Sequence, residues 1–162
     1  MKTGPECKLT LVEWDAAVQD DPSAHPEAST FVQRADESAE QLLLRTERTA
    51  RVLRDSGYWI RSIRLVLGAE DAARHAERVE LACRLGHLLT SHSTLHLVTT
   101  KCRGPRINWV ELVGLLLSDS RWPLHVRLAM DDQGGPCAAR SRPPTDWADR
   151  DTRVLTASLQ PR

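Results

Sequence analysis

Two histidines and their neighbours are the residues whose spacing could do chemistry. His92 and His96 are four positions apart, which would place two imidazoles on one face of a helix. Cys83, His87 and Cys102 lie near them in the sequence. If three of these side chains converged, they could hold zinc in a small metal-dependent hydrolase. None of them falls in a recognised zinc pattern, so ordinary histidines are the favoured interpretation.

Other residues with catalytic potential are few. Cys102 stands between Lys101 and Arg103, two cations that would lower the pKa of its thiol, yet a plain free thiol is favoured. Asp131 and Asp132 begin a polar stretch, which predicts solvated carboxylates. The sequence contains no Gly-rich phosphate loop and no Gly-x-Ser-x-Gly motif. We therefore expect a protein that is not an enzyme and carries no cofactor.

The composition narrows the classes of partner. The 162 residues suit one domain, and 22 basic residues balance 22 acidic ones. Zero net charge provides no polycationic field, so we expect no nucleic-acid partner. The four cysteines are far apart in the sequence, which predicts reduced thiols in a cytosolic or nuclear protein. No run reaches the ~18 apolar residues of a membrane span, so we expect no intrinsic transmembrane anchor.

Apolar residues recur with helical spacing along much of the chain. Residues 8–19 place apolar side chains on one helical face. A long helix is predicted from about Thr30 to Leu53, and the same period continues to Leu67. A further helix is predicted over 69–90.

The second half of the chain holds one ambiguous segment and one strongly apolar segment. The segment SHSTLHLVTTKC, residues 91–102, fits a strand by its alternation and a helix by its spacing. The segment RINWVELVGLLL, residues 106–117, has Asn108 as a predicted N-cap and Glu111 three residues later, as in a capping box. Its apolar positions leave little polar surface, which predicts a helix buried nearly all round.

Together these elements predict an all-α fold. We expect a single-domain bundle of about five to seven helices around the central apolar helix. Residues 1–30 would form an N-terminal helix and linker, and 31–130 the helical core. Residues 131–162 would form a polar, partly disordered tail, because their composition is rich in Pro, Gly and charge.

The Asn-Trp pair at the start of the predicted central helix resembles the first homology motif of the B-cell lymphoma (Bcl) family of apoptosis regulators. The residues that fit this motif are Arg103, Ile107, Asn108 and Trp109, followed by an apolar run. The family has Gly-Arg directly after the Trp, whereas this chain has Val110 and Glu111.

An upstream segment resembles the third homology motif of the same family. Leu53, Gly57 and Ile60 fit that motif, and their distance in sequence from Trp109 is close to the family's. Tyr58 stands where the family has an acidic residue after the Gly.

The resemblance implies a Bcl-like bundle with an apolar groove beside the central helix. In the family such a groove accepts an amphipathic helix, and the Arg after Trp-Gly pairs with an Asp of that helix. Glu111 would reverse this charge and repel an Asp-bearing partner. The resemblance implies these partner-binding residues: Leu53, Gly57, Ile60, Arg103, Asn108, Trp109 and Glu111.

The implied function is regulation of apoptosis by helix-in-groove binding to Bcl-family proteins, with altered charge chemistry in the groove. The partners would be proteins that carry Bcl-family amphipathic helices, in a homo- or hetero-dimer. The implied location is the cytoplasm, where a partner could recruit the protein to mitochondria. The alternative is an all-helical adaptor or assembly subunit unrelated to apoptosis, in which Trp109 is a core residue.

Overall fold

The computed structural model describes residues 4–19, 30–68, 71–99 and 107–132, in which strands and helices alternate. The strands are β1 (Glu6–Val12), β2 (Thr30–Val32), β3 (Trp59–Leu67), β4 (Thr94–Thr99) and β5 (Arg127–Asp132). The helices are α1 (Trp14–Gln19), α2 (Ala39–Asp55), α3 (His75–Gly86) and α4 (Trp109–Ser118). A 3₁₀ turn, Ala72–Arg74, leads into α3.

The five strands form one sheet in the order β2-β1-β3-β4-β5, and every neighbouring pair is parallel. Two neighbouring parallel strands cannot be joined by a tight hairpin, so the chain must cross over the sheet between them. In this protein each of these crossover connections contains a helix. The strand order reverses between β1 and β3. This is the topological switch point of a doubly wound α/β sheet.

The prediction of an all-α bundle around a central apolar helix is wrong, because the centre of the protein is this sheet. Residues 59–67, interpreted as the continuation of a helix, form β3. Arg61 has no counterpart in the pairing of β3 with β1, which indicates a β-bulge. The bulge leaves Ile60 and Ile63 in the same core cluster, so a spacing of three that suggested a helix arises in a strand.

Two more segments show why strands were mistaken for helices. Residues 8–19 contain most of β1 followed by the short α1, and the ambiguous segment 91–102 contains β4. Strands buried on a parallel sheet read as nearly continuous apolar runs, without the clean alternation of an exposed sheet. Leu9, Leu11 and Val12 of β1 are such a run and are all buried.

Helices α2, α3 and α4 pack on one face of the sheet. Their apolar side chains share one cluster with alternate residues of β1, β3 and β4, such as Leu11, Leu65 and Leu97. On the opposite face, Ala16 of α1 packs against Val66 in a smaller cluster. Among the described elements, three helices therefore cover one face of the sheet and one short helix covers part of the other.

The predicted long helix is confirmed only in its second part. Residues Thr30–Val32 form the edge strand β2, and α2 begins after Ser38. The Ser38 hydroxyl accepts the Gln41 N–H at 3.2 Å, and the Gln41 side chain accepts the Ser38 N–H at 3.0 Å. This capping box fixes the start of the helix eight residues beyond Thr30.

Helix α4 lies where the sequence predicts it, with the predicted cap. The Asn108 side chain accepts the Glu111 N–H at 3.3 Å. The prediction that this helix is buried nearly all round is wrong, because Val110 is 80% exposed and Leu115 is 44% exposed. The helix lies on the surface of the sheet and buries one side only.

The remaining predictions on chain organisation have mixed outcomes. The helix predicted over 69–90 is confirmed in part by α3. The division at residue 30 stays a prediction. The prediction that the polar tail begins at Asp131 is wrong at its first two residues, because Asp131 and Asp132 pair with β4 as the end of β5. The rest of the tail, residues 133–162, lies outside the described residues.

Gly57 and Gly114 differ in whether their backbone accepts a side chain without strain, so alanine substitutions at the two positions test the local backbone conformation. Gly57 has φ +85°, a left-handed conformation that an L side chain adopts with strain. Gly114 lies in the interior of α4, and a Cβ there would meet nothing within 4 Å. We predict that Gly57→Ala lowers the free energy of unfolding by roughly 1–2 kcal/mol. Gly114→Ala should raise it by roughly 0.5–1 kcal/mol in dilute protein.

Urea denaturation of the two variants measures both changes. A Gly57→Ala variant as stable as the parent protein would contradict the left-handed turn between α2 and β3.

Candidate functional site

The carboxyl ends of β1 and β3 form the first candidate site, because doubly wound sheets bind ligands outside the strand ends at the switch point. Glu13 directly follows β1, and Gly68 directly follows β3. Arg74 in the 3₁₀ turn and Arg78 in α3 approach the same place from the next connection. The site therefore combines a carboxylate, two guanidinium groups and a backbone N–H.

A buried ion pair closes the centre of this site. Arg78 donates from Nε to Oε1 of Glu13 and from Nη2 to Oε2, both at 2.9 Å. The Gly68 N–H donates to the same Oε2 at 3.0 Å. Arg78 is 2% exposed and Glu13 is 8% exposed. Both carboxylate oxygens are thus engaged in holding the end of β1 against β3 and α3, which disfavours Glu13 as a general base.

The loops around the ion pair are also tightly joined. Arg74 Nη1 lies 2.5 Å from Oδ2 of Asp15 and 3.9 Å from Oε2 of Glu13. A Cβ on Gly68 would come within 2.5 Å of the Asp15 Cβ, so only glycine fits at this approach. A cleft of about 40 Å³ lies beside Glu13 and Gln33. It has room for a few waters, whereas small-molecule sites measure roughly 300–1,000 Å³.

The thiols of the described residues are weak nucleophiles. Burial raises the pKa of the Cys83 thiol to about 11, with the Asp119 carboxylate adding to the effect. Burial also raises the pKa of Cys7. A thiol with a raised pKa carries little thiolate at neutral pH, and the thiolate is the reactive form.

The suggested zinc ligands do not form a set in the described part of the chain. Cys83 is buried in α3, His96 lies in β4, and His92 lies in the turn before that strand. Among the described residues, no group of three or more His, Cys, Asp or Glu side chains could hold a metal ion. Cys102 lies outside those residues.

The structure places the partner-binding residues predicted from the Bcl resemblance at two separate places. Leu53 is near the end of α2, Gly57 is in the turn that follows, and Ile60 is at the start of β3. Asn108, Trp109 and Glu111 open α4. Arg103 lies outside the described residues.

These two groups lie at opposite ends of the sheet. A parallel strand such as β3 begins at the amino edge, whereas α4 begins beyond the carboxyl edge, where β4 ends. A six-residue strand such as β4 separates the two edges by roughly 20 Å. Leu53 and Trp109 therefore do not line a common groove, and Tyr58 does not meet Glu111. Ile60 is a core residue, since it is 3% exposed.

The second candidate site is the outward side of α4, which we call the α4 surface. Its exposed residues are Val110, Glu111, Gly114, Leu115 and Ser118, and Glu111 alone is charged. Helix α2 offers a contrast, because its exposed positions include the charged residues Glu40, Arg48, Arg51, Arg54 and Asp55. The α4 surface is thus the most apolar helix exterior among the described elements.

The ion pair of Glu13 and Arg78 is not predicted from the sequence. A signal was present, because Glu13 directly follows the buried run Leu11–Val12, where a strand often ends. Because residues 8–19 are predicted to form a helix, no strand end is expected at Glu13. The sequence predicts the helix that carries the α4 surface, but it places the residues of this surface in the core.

Comparisons of the chain with protein-family models, with curated proteins and with solved structures gave no match. Among the described residues, no helix is long and apolar enough to cross a membrane.

The buried ion pair predicts an unequal response to the loss of two arginines. Arg78→Met leaves the Glu13 carboxylate buried without its cation, and we expect a loss of about 3–5 kcal/mol in the free energy of unfolding. Arg61→Met removes an exposed ion pair with Glu6 and should cost less than about 1 kcal/mol. Urea denaturation compares the two variants. Equal, small losses in both would show that the Glu13–Arg78 contact does not hold the strand ends together.

Proposed function

We propose that this protein is a non-catalytic assembly domain whose copies associate through the α4 surface. The observation that carries the proposal is the exposure of Val110 and Leu115 on a helix exterior with one charge. Removing a Val or Leu side chain from water stabilises a complex by roughly 1.5–3 kcal/mol. Exposed apolar side chains grouped in this way are typical of protein–protein interfaces.

Gly114 supports helix-to-helix contact at this surface. A glycine in a helix interior costs roughly 0.5–1 kcal/mol relative to alanine, and no side chain of the described residues packs where its Cβ would be. The absence of a side chain there would allow a second helix to approach closely. Gly114 lies between Val110 and Ser118, in the middle of the α4 surface.

A symmetric pair of antiparallel α4 helices centred on Gly114 is compatible with the charges. In that arrangement Val110 of one copy faces Ser118 of the other. The two Glu111 carboxylates lie on opposite sides of the two-fold axis and do not face one another. Twofold symmetry is the commonest form of self-association. Zero net charge adds no overall repulsion between copies.

The chemistry of the other site supports a non-catalytic role. The Glu13 and Asp15 carboxylates are engaged by arginines, and the Cys83 thiol has a raised pKa. A cytoplasmic location is part of the proposal, since widely spaced cysteines are typical of proteins with reduced thiols.

Regulation of apoptosis, predicted from the motif resemblance, stays a prediction. In that case Asn108, Trp109 and Glu111 would meet a partner helix at the start of α4, without Leu53. Asp-bearing helical peptides would then bind, and the Glu111→Ala variant would bind them more tightly because a like charge is removed. Self-association by itself does not require such binding.

Sedimentation velocity over a range of concentrations tests the proposed assembly. We expect reversible dimers of the parent protein, with a Kd in the micromolar range. The Val110→Glu, Leu115→Glu double variant should raise this Kd at least about tenfold, because two buried carboxylates would oppose the contact.

The matched control is the Leu44→Glu, Val52→Glu double variant, which changes the same residue types at exposed positions of α2. It should dimerise as the parent protein does. A parent protein that stays monomeric up to roughly 1 mM would contradict the proposal, as would equal weakening in both double variants.

A further inference from the structure

The face of the sheet opposite α2, α3 and α4 carries two polar rows that cross the strands. Alternate side chains of a strand point to opposite faces, so the residues between the core leucines point away from these helices. Strand register places the rows side by side. The first row is Lys8, Ser62, Thr94 and Arg127, and the second is Thr10, Arg64 and His96. We call these seven residues the cationic face.

Among the described elements, α1 is the one that packs on this side, and it covers only the next row toward the carboxyl edge. That row contains Val12, Val66 and Val98, which form a small apolar cluster with Ala16. The row ends on β5 at Asp131, whose carboxylate acts on His96 of the neighbouring row. The apolar row is thus matched to a helix, whereas no helix among the described elements lies over the cationic face.

The polarity of the cationic face is unusual for its position. A parallel sheet normally has both faces covered, and the covered faces are apolar. Here Lys8 and Arg127 are exposed, and Arg64, His96 and Thr94 are partly buried. The two small residues Ser62 and Thr10 are buried, so the accessible part of the face is formed by the charged side chains. Permanent cover by an apolar helix would remove cations from water without compensation, which is costly. The composition therefore favours a polar, exchangeable occupant.

Three cations of this face have no ion pair with the described residues. They are Lys8, Arg64 and Arg127. Among the other arginines of the described residues, six have carboxylate partners, namely Arg45, Arg61, Arg74, Arg78, Arg84 and Arg121. Arg48, Arg51 and Arg54 on the exposed side of α2 resemble the cations of the sheet face in having no such partner among the described residues.

Besides burial, the charges of both Arg64 and Lys8 lower the pKa of His96, so these charges act on a common region. Burial lowers the pKa of His96, and the charges of Arg64 and Lys8 lower it further, while Asp131 opposes them. Arg64 and Lys8 lie on different strands, so their fields overlap above the middle of the sheet. An anion placed there would be stabilised by both.

The geometry points to an acidic segment of a partner polypeptide as the ligand of the cationic face. Lys8 and Arg127 are separated by three strand spacings, or about 14 Å, which suits several carboxylates spaced along a chain. Thr94 lies between them and adds a partly exposed hydroxyl group, whereas Ser62 is buried. The two rows contain no Phe, Tyr or Trp for base stacking, and the net charge is zero, which disfavours nucleic acid. This site is independent of the α4 surface.

The test is fluorescence anisotropy with a labelled decaglutamate peptide and the full chain. We expect binding at low ionic strength that weakens with added salt. The Lys8→Gln, Arg64→Gln double variant should weaken it at least about tenfold, since two charges of the face are removed. The matched control is Arg48→Gln, Arg51→Gln, which removes the same charge from exposed positions of α2. It should bind within about twofold of the parent protein.

Three results would overturn the proposal. They are undetectable binding by the parent protein, an equal loss in both double variants, and tighter binding of a single-stranded oligonucleotide than of decaglutamate. A measurement on the parent protein alone removes any dependence on how the variants fold. Bound carboxylates should raise the pKa of His96 in an NMR titration, and an unchanged His96 titration at saturating peptide would also exclude this site.

Discussion

Parallel pairing of the strands is the constraint on which the rest of the structure depends. Because neighbouring parallel strands need a crossover, the chain must alternate strands with connections long enough to return to the amino edge. The crossovers on the two sides of the switch point bring the ends of β1 and β3 together, and Arg78 of the following helix reaches Glu13. The topology thus brings Glu13 and Arg78 together, and their ion pair in turn stabilises this arrangement of the strands.

The same constraint divides the protein into regions with different chemistry. In the described part of the carboxyl edge, where such folds usually bind ligands, the Glu13 carboxylate is bound by Arg78 and by the Gly68 N–H. The outward side of α4 is apolar and exposed to solvent. On the opposite face of the sheet, Lys8 of β1 and Arg64 of β3 have no ion pair with the described residues.

Local signals were readable in the sequence, and non-local ones were not. The cap at Asn108 is a local hydrogen bond within four residues, and it was predicted correctly. Helices α2 and α3 were predicted in part for the same reason. Strand pairing joins residues far apart in sequence, as Leu11 joins Leu65, so no local period reveals it. The bulge at Arg61 even gave β3 a helical spacing.

The candidate site shows the same limit. Trp109 and Glu111 were identified from a motif, but their place on a surface helix depends on where β4 ends. Glu13 and Arg78 are 65 residues apart, and their pairing follows only from the strand order. An apolar helix beside a sheet needs one buried side, whereas the same helix inside a bundle would need several. The apolar residues within 106–117 therefore have a different interpretation in this fold. They bury one side of a helix against a sheet and do not fill the centre of a bundle.

Backbone NOE measurement by NMR on isotope-labelled protein tests the parallel sheet most directly. The structure predicts inter-strand contacts that join Leu9 to Ile63 and Ile63 to Leu95, in the parallel pattern. Contacts from each residue to the third residue ahead throughout 59–67, without inter-strand contacts, would indicate a helix. That result would contradict the doubly wound fold and the two surfaces derived from it.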